Sequence, residues 1–236
     1  MLRQDEIQSL TIRLLTHETE RDKQKKIGAS QISDPCTYHL AMALTGSQEA
    51  KMKYWLGGKI GTATHLLLEE TISKVDVKDF PELEGARVEQ KIHLGELEGY
   101  GTISSKPDLA LVKQKHLIDW KTSTRDKSRK LQRVLDNPDG KDTSSQYTLQ
   151  KYIAQTQLYA WGLNNSGTEI EGISLVFINR DGTTEADVWN YTFEYSEELA
   201  VAVWTRLENL WTNLQNGVEL DSLERNADCF KCAIGI

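Results

Sequence analysis

The feature that most constrains this chain is a pair of aspartates at the two ends of a predicted β-hairpin. Residues 109–112 and 117–120 are short apolar, β-prone runs, and the four polar residues between them are typical of a turn. A turn centred on the first two of those polar residues places Asp108 directly opposite Asp119. Opposed residues of an antiparallel pair hold their Cβ atoms about 4.5–5.5 Å apart. The two carboxylates are therefore expected to be close neighbours.

Two carboxylates at that separation repel each other unless a cation lies between them, and hard divalent cations prefer oxygen ligands. The two-residue period of a strand puts Lys121 on the same face as Asp119 and turns Trp120 into the protein. Two acids and one amine on one face indicate a metal-dependent phosphodiesterase. An ordinary hairpin with solvated acids explains this stretch equally well, so the rest of the sequence has to decide.

The composition narrows the class of protein. The chain has 236 residues, enough for one full-sized core with appendages. Its longest apolar runs fall far short of a membrane span, and its first residues are polar and acidic, so we expect a cytoplasmic protein without a membrane partner. Three cysteines argue against a disulfide scaffold and favour metal binding or incidental burial.

The net charge of −7 disfavours a protein that coats itself with nucleic acid. It allows DNA binding along one groove, because only local charge acts within a Debye length of about 8 Å. A basic segment follows the hairpin directly and contains the turn-forming sequence Asn-Pro-Asp-Gly at residues 137–140. Such a sequence predicts a mobile connection that could close over DNA. The candidate phosphate-binding residues there are Arg125, Lys127, Arg129, Lys130 and Arg133.

We predict two units along the chain. Residues 1–27 form an N-terminal amphipathic helix, with Ile7, Leu10 and Leu14 at helical spacing and a basic last turn. Residues 28–236 form the main domain.

The main domain opens with a helix that carries two potential metal ligands. Asp34 is suited to cap a helix that begins at Pro35 and ends at Gly46. Cys36 and His39 lie three residues apart, and so on one face of that helix.

The central part of the domain alternates helices and strands. Gly57-Gly58 is predicted to interrupt a helical pattern, and an apolar helix with His65 follows. Residues 85–94 alternate as a half-buried strand that exposes Glu89. The remaining predicted elements are a helix at 146–163, a buried strand at 172–179, a more exposed strand at 187–193 and a helix at 195–216.

The C-terminal tail contains Cys229-x-x-Cys232. Such a turn brings two thiolates within reach of one ion, which in a cytosolic chain indicates metal binding. A redox pair is the alternative, but no thioredoxin-like strand–helix context surrounds the two cysteines.

These motifs resemble a known nuclease group. Asp108 followed by Asp119-Trp120-Lys121 resembles the signature of the PD-(D/E)xK nuclease superfamily. Over residues 28–232 the order of motifs resembles that of RecB-like exonucleases with a C-terminal cysteine clasp, which include CRISPR-adaptation and phage-encoded relatives. The residues that carry this resemblance are Cys36, His65, Asp108, Asp119, Lys121, Gln155, Tyr159, Cys229 and Cys232.

The resemblance implies an α/β, restriction-endonuclease-like core in which helices flank a central mixed sheet. It implies Asp108, Asp119, Lys121, Gln155 and Tyr159 as the catalytic residues. It also implies a catalytic Mg²⁺ or Mn²⁺ whose ligands are His65, Asp108, Asp119 and the Trp120 carbonyl, with Glu89 as a further candidate. Gln155 and Tyr159 would position the lysine and the substrate phosphate.

The clasp, which joins residues 36–39 to residues 229–232, departs from the family pattern. Four cysteines hold a four-iron, four-sulfur cluster in the family, whereas this chain has only three cysteines. His39 is the nearest candidate for a fourth ligand beside Cys36, Cys229 and Cys232. A tetrahedral zinc site would accept that set, while the resemblance favours the iron–sulfur cluster.

The predicted function is metal-dependent DNA exonuclease activity on single-stranded or frayed ends, with a recombination protein or helicase as a further partner. The alternative is a catalytically weak DNA-end-binding or adaptor protein on the same fold. Two further hypotheses are a metal or redox sensor built on the cysteines and a sequence-specific restriction endonuclease. The last lacks an evident recognition domain in the sequence.

Overall fold

The computed structural model of the chain describes residues 4–16, 26–47 and 56–233. The helices are α1 (Gln4–Thr16), α2 (Ala29–Ile32), α3 (Thr37–Thr45), α4 (Leu56–Lys74), α5 (Arg125–Asp136), α6 (Thr143–Asn165), α7 (Glu197–Gln215) and α8 (Phe230–Ala233). The strands are β1 (Arg87–Val88), β2 (Ile92–Leu97), β3 (Gly101–Ser105), β4 (Leu109–Leu111), β5 (His116–Ser123), β6 (Gly172–Asn179) and β7 (Val188–Glu194). Within these ranges, no helix is long and apolar enough to cross a lipid bilayer.

A five-stranded mixed sheet forms the centre of the protein, with the strand order β1-β4-β5-β6-β7. The pair β5–β6 is parallel and the other pairs are antiparallel. A parallel pair needs a crossover connection, and α5 and α6 supply it between β5 and β6. The prediction of an α/β fold with a central mixed sheet flanked by helices is confirmed.

The predicted hairpin is present with the expected register. Strand β4 pairs with β5 so that Leu109 faces Ile118 and Leu111 faces His116. One further step along this register places Asp108 opposite Asp119. The turn returns through Lys115, whose φ of 51° lies in the left-handed region.

The predicted single strand at 85–94 is wrong, because the chain changes sheets within it. β1 pairs with β4 in the main sheet, whereas β2 pairs with β3 in a separate two-stranded sheet. Glu89 lies at the break with a φ of 46°, a left-handed conformation that non-glycine residues rarely adopt. The alternation of buried and exposed side chains still holds for Ile92 and Leu94, which are buried.

The prediction of a mobile connection after the hairpin is also wrong, because the basic segment forms helix α5. The Thr124 hydroxyl caps this helix by accepting a hydrogen bond from the Lys127 amide. Ser128, Leu131 and Val134 are buried at a spacing of three residues. Packing against the core therefore orders a segment whose composition is mostly charged and polar.

Two predicted helix starts need correction. Helix α3 begins at Thr37 with Cys36 as its N-cap, rather than at Pro35, and it ends as predicted at Gly46, whose φ is 69°. Gly57 and Gly58 lie inside α4 rather than interrupting it.

Helix α6 packs on α7, α2 and both sheets and so organises the main core. α7 has nearly its predicted bounds, with Leu207 and Leu210 buried. Leu199 is 40% exposed, while Trp204 is buried.

Only part of the predicted N-terminal unit can be compared with the structure. α1 spans Gln4–Thr16, and residues 17–25 lie outside the described ranges. Its apolar side chains Ile7, Leu10 and Leu14 are exposed.

Candidate active site

The two aspartates of the hairpin lie buried at its open end. Asp108 is 5% exposed and Asp119 is 1% exposed. Asp108 Oδ2 accepts a hydrogen bond of 2.7 Å from the Trp120 backbone amide, and Asp108 Oδ1 lies 3.1 Å from His65 Nδ1. The side chain of Asp108 thus continues the pairing with β5 and points its second oxygen at α4.

Helix α4 crosses close to β5 and brings His65 to the carboxylates. A Cβ on Gly61 would lie 2.9 Å from the Thr122 hydroxyl oxygen, so a glycine is needed for this approach. The His65 ring packs edge-on against Trp120, with a centroid separation of 6.2 Å. The hydrogen bond with Asp108 raises the pKa of His65, although burial acts in the opposite direction.

One candidate metal-binding group combines His65, Glu89 and Asp108, whose donor atoms all lie within 4.8 Å of one another. The strand break at Glu89 brings it there, since its backbone amide donates to the Asp108 carbonyl at 3.1 Å. The N–H and C=O of a strand residue point to the same side, so the Trp120 carbonyl points the same way as its amide, toward Asp108. Oxygen and imidazole donors at this spacing suit a divalent cation.

Asp119 and Lys121 form a buried ion pair beside this group. Asp119 Oδ2 lies 2.7 Å from Lys121 Nζ but accepts no hydrogen bond of regular geometry from the described residues. Burial raises the pKa of Asp119 to about 6; the Lys121 charge opposes this shift and the Asp108 charge adds to it. Burial lowers the pKa of Lys121, but the charges of Asp119 and Asp108 outweigh that effect and raise it, which keeps the amine protonated.

Helix α6 holds Lys121 from the other side. Gln155 Oε1 accepts a hydrogen bond of 3.0 Å from Lys121 Nζ, and Gln155 Nε2 donates to the Tyr159 hydroxyl at 2.7 Å. Burial raises the pKa of Tyr159, so this phenol is neutral. The structure therefore connects Lys121, Gln155 and Tyr159 in one hydrogen-bonded chain.

Sequence reasoning missed two residues, Tyr152 beside Lys121 and Arg180 at the end of β6. The Tyr152 ring lies under Lys121 Nζ, 4.8 Å from its centroid. Tyr152, Gln155 and Tyr159 follow i, i+3, i+7 spacing on α6, so extending the helical pattern backwards could have found it. Arg180 follows β6 directly; it is exposed and makes no ion pair with a described residue. Its guanidinium lies against Gly57, where a Cβ would approach to 2.5 Å.

The five predicted phosphate-binding residues differ in their availability. Arg125 is held by Asp187, with nitrogen–oxygen distances of 2.5 and 2.6 Å. Lys130 pairs with Asp126 within α5 at 2.8 Å. The other three have exposed side chains on α5, and they are Lys127, Arg129 and Arg133.

The predicted clasp residues also come together, away from the carboxylates. Cys36, His39, Cys229 and Cys232 form a second candidate metal-binding group.

No protein-family model and no curated protein sequence matches this chain. Solved structures resemble its fold. SSO0001 has a TM-score of 0.54 at 18% identity, with 97% of this chain and 94% of that chain covered. A candidate exonuclease from Eubacterium rectale has a TM-score of 0.53 at 14% identity, with 93% and 94% covered. The alkaline exonuclease LHK-Exo from Laribacter hongkongensis has a TM-score of 0.48 at 16% identity, with 81% and 89% covered. The likeness to the first two shows that this chain shares their fold over nearly its whole length.

Proposed function

We propose that this chain is a metal-dependent deoxyribonuclease of the RecB-like PD-(D/E)xK type that degrades DNA from single-stranded or frayed ends. The observation that carries this proposal is the meeting of Asp108 and Asp119 with Lys121 at the open end of the hairpin, beside His65 and Glu89. The shared fold with a candidate exonuclease supports it.

The donor set fits a hard divalent cation. His65, Glu89, Asp108, Asp119 and the Trp120 carbonyl would hold Mg²⁺ or Mn²⁺. The spacing supports this fit, because the donor atoms of His65, Glu89 and Asp108 all lie within 4.8 Å of one another. A cation there would also offset the repulsion between the buried carboxylates of Asp108 and Asp119. When bound, the cation polarises the scissile phosphate and lowers the pKa of the attacking water.

Lys121 provides a fixed positive charge at the site. Its ammonium group is held between Asp119, Gln155 and the Tyr152 ring, so little reorganisation is needed when negative charge develops on the phosphate. Tyr159 holds the Gln155 amide and thus fixes the direction of its oxygen toward Lys121. These residues orient the attacking water and the phosphate.

We assign DNA backbone binding to the exposed face of α5, with Arg180 as an added contact on the neighbouring strand end. Lys127 also lies over the Tyr152 ring, 5.9 Å from its centroid, which links that face to the catalytic lysine. A helicase or recombination protein that exposes single strands is the class of partner that such an exonuclease requires.

The salt dependence of DNA binding should distinguish Arg129, which we expect to contact DNA phosphates, from Arg125, which we do not. Arg129→Ala should weaken binding and lower the slope of log affinity against log salt by about 0.7, because each phosphate contact on single-stranded DNA releases a counterion. Arg125→Ala should leave that slope unchanged and lower thermal stability instead, since Arg125 is bound to Asp187. Anisotropy of a labelled oligonucleotide, measured without a catalytic metal over a salt series, gives both slopes. Equal loss of slope in the two variants would contradict the assignment of the DNA-binding face.

A nuclease assay tests the proposed function directly. End-labelled linear single-stranded DNA and a circular single strand of the same sequence are incubated with Mg²⁺, with Mn²⁺ or with EDTA. We expect short products from the linear strand with either metal, an intact circle, and no cleavage in EDTA. Binding to linear DNA without cleavage under any of these conditions would favour the adaptor alternative. Cleavage of the circle would contradict the requirement for an end.

A further inference from the structure

The clasp residues come from two distant parts of the chain and meet in a small volume. Cys36 is the N-cap of α3 and His39 lies in its first turn, while Cys229 directly precedes α8 and Cys232 lies within it. All four donor atoms lie within 4.8 Å of one another. Cys36, His39 and Cys229 are buried, and Cys232 is partly exposed.

The spacing of these donors matches one shared ion. Thiolates about 2.3 Å from a tetrahedral zinc ion stand about 3.8 Å apart. The Cys36 and Cys232 sulfurs are separated by 3.6 Å, close to that value. His39 Nδ1 and the Cys229 sulfur are in hydrogen-bond contact at 2.8 Å, and this distance would lengthen to about 3.5 Å when both atoms bind one ion.

The same spacing does not fit the four-iron cluster that the family resemblance implies. In such a cluster each thiolate binds a different iron, so the sulfurs stand further apart than thiolates that share one ion. The usual ligand set is four cysteines, and this chain has three. Both the ligand set and the donor spacing therefore disagree with a four-iron cluster.

We propose that Cys36, His39, Cys229 and Cys232 hold a single tetrahedral zinc ion with a structural role. Four protein ligands close the coordination shell, which is the pattern of structural rather than catalytic zinc. The site uses none of the proposed catalytic residues, so its metal content can be measured whether or not the chain cleaves DNA.

The surroundings of the clasp balance its charge. A zinc ion with three thiolates and a neutral imidazole carries one net negative charge. Lys151 Nζ lies 2.6 Å from Asp34, and Asp34 also accepts a hydrogen bond of 3.1 Å from the Cys36 amide. Arg206 donates to the Asp34 carbonyl at 2.6 Å. The positive charges of Lys151 and Arg206 and the negative charge of Asp34 sum to one positive charge beside the zinc ion.

Tyr147 connects this charged group to the ligands. Its hydroxyl hydrogen-bonds to the Asp34 carboxylate and lies within hydrogen-bond reach of the Cys229 sulfur. Hydrogen bonds from neighbouring residues to metal ligands orient those ligands and are a regular part of zinc sites.

Metal analysis of the full chain tests the proposal. Protein purified without oxygen, from cells supplied with both iron and zinc, is assayed for zinc, iron and acid-labile sulfide. We expect about one zinc per chain, colourless protein and no sulfide. Iron with sulfide in any ratio, or protein without metal at the clasp, would overturn the proposal.

Cobalt substitution tests the role of His39. Wild-type protein stripped of metal should bind one Co²⁺ and give the intense visible bands of a tetrahedral site with sulfur ligands. His39→Ala should lose stoichiometric cobalt binding, whereas His39→Cys should retain it with a shifted spectrum, because a fourth thiolate replaces the imidazole. His93→Ala is the matched control, since His93 is exposed on β2. An unchanged spectrum and stoichiometry in His39→Ala would show that His39 is not a ligand.

Discussion

Lys121→Met is expected to lower kcat for DNA cleavage by about a hundred- to a thousandfold, the range found when one preorganised charge-stabilising group is removed from an active site. The ammonium group lies 2.7 Å from Asp119 and 3.0 Å from Gln155, so it is positioned before substrate arrives. Methionine keeps most of the side-chain volume and removes the charge together with the hydrogen bond to Gln155. Initial rates on end-labelled single-stranded DNA, measured at saturating substrate with Mn²⁺, give the loss in kcat separately from any change in KM.

Lys113→Met is the matched control for this result. Lys113 lies in the turn of the same hairpin, where it forms an exposed ion pair with Glu84. We expect its cleavage rate to equal that of wild type. A Lys121→Met protein that stays folded and retains a rate within about threefold of wild type would remove Lys121 from the proposed mechanism.

The same substitution is expected to lower the free energy of unfolding of the metal-free protein by about 3 kcal/mol, because breaking a buried ion pair leaves an uncompensated charge. Asp119 is 1% exposed, so water cannot replace the lost partner. The double variant Asp119→Asn/Lys121→Met should recover most of the loss, since neither side chain is then charged. It should remain inactive, which separates the loss of folding stability from the loss of catalysis.

Urea denaturation in EDTA measures these differences. Lys74→Met is the control. Lys74 pairs with Glu70 on the surface of α4, and the two side chains are 70% and 63% exposed, so this ion pair contributes at most about 1 kcal/mol to stability.

Burial already raises the pKa of Asp119 to about 6 in the presence of Lys121. An acid with a raised pKa stabilises the fold when protonated and destabilises it as the pH rises through that value. Loss of the Lys121 charge removes an effect that opposes this rise, so the penalty in Lys121→Met should be small below about pH 6 and grow as the pH rises above that value. A penalty independent of pH would show that lost packing, not the buried charge, is its cause.

The hairpin register could be predicted because its determinants are local. A polar break flanked by two apolar runs fixes the turn, and the two-residue period then fixes which face carries Asp119 and Lys121. Strand β6 was predicted with its observed bounds for a similar reason, since a continuous apolar run marks a fully buried strand.

The remaining differences arise where tertiary contacts decide. Alternation with a period of two is the same in both sheets, so it cannot show that the chain leaves one sheet for the other at Glu89. α5 buries only Leu131, Val134 and a serine against the core, which is too weak a pattern to recognise among so many charged residues. Tyr152 shares the helical spacing of Gln155 and Tyr159, but the position of Arg180 depends on the pairing of β6 with β5, which the spacing of residues in one sequence does not reveal.

The long separation between the two halves of the clasp has a consequence for the order of biosynthesis. Its contacting pairs, Cys36 with Cys232 and His39 with Cys229, are 196 and 190 residues apart in the chain. Cys229 and Cys232 are synthesised after the strands of both sheets and after α7, so the ligand set is complete only late in synthesis of the described part of the chain. Under the zinc proposal, metal capture at the clasp would therefore follow synthesis of both sheets and of α7. A shortage of zinc would then affect newly made molecules, while molecules that had already captured their ion would persist.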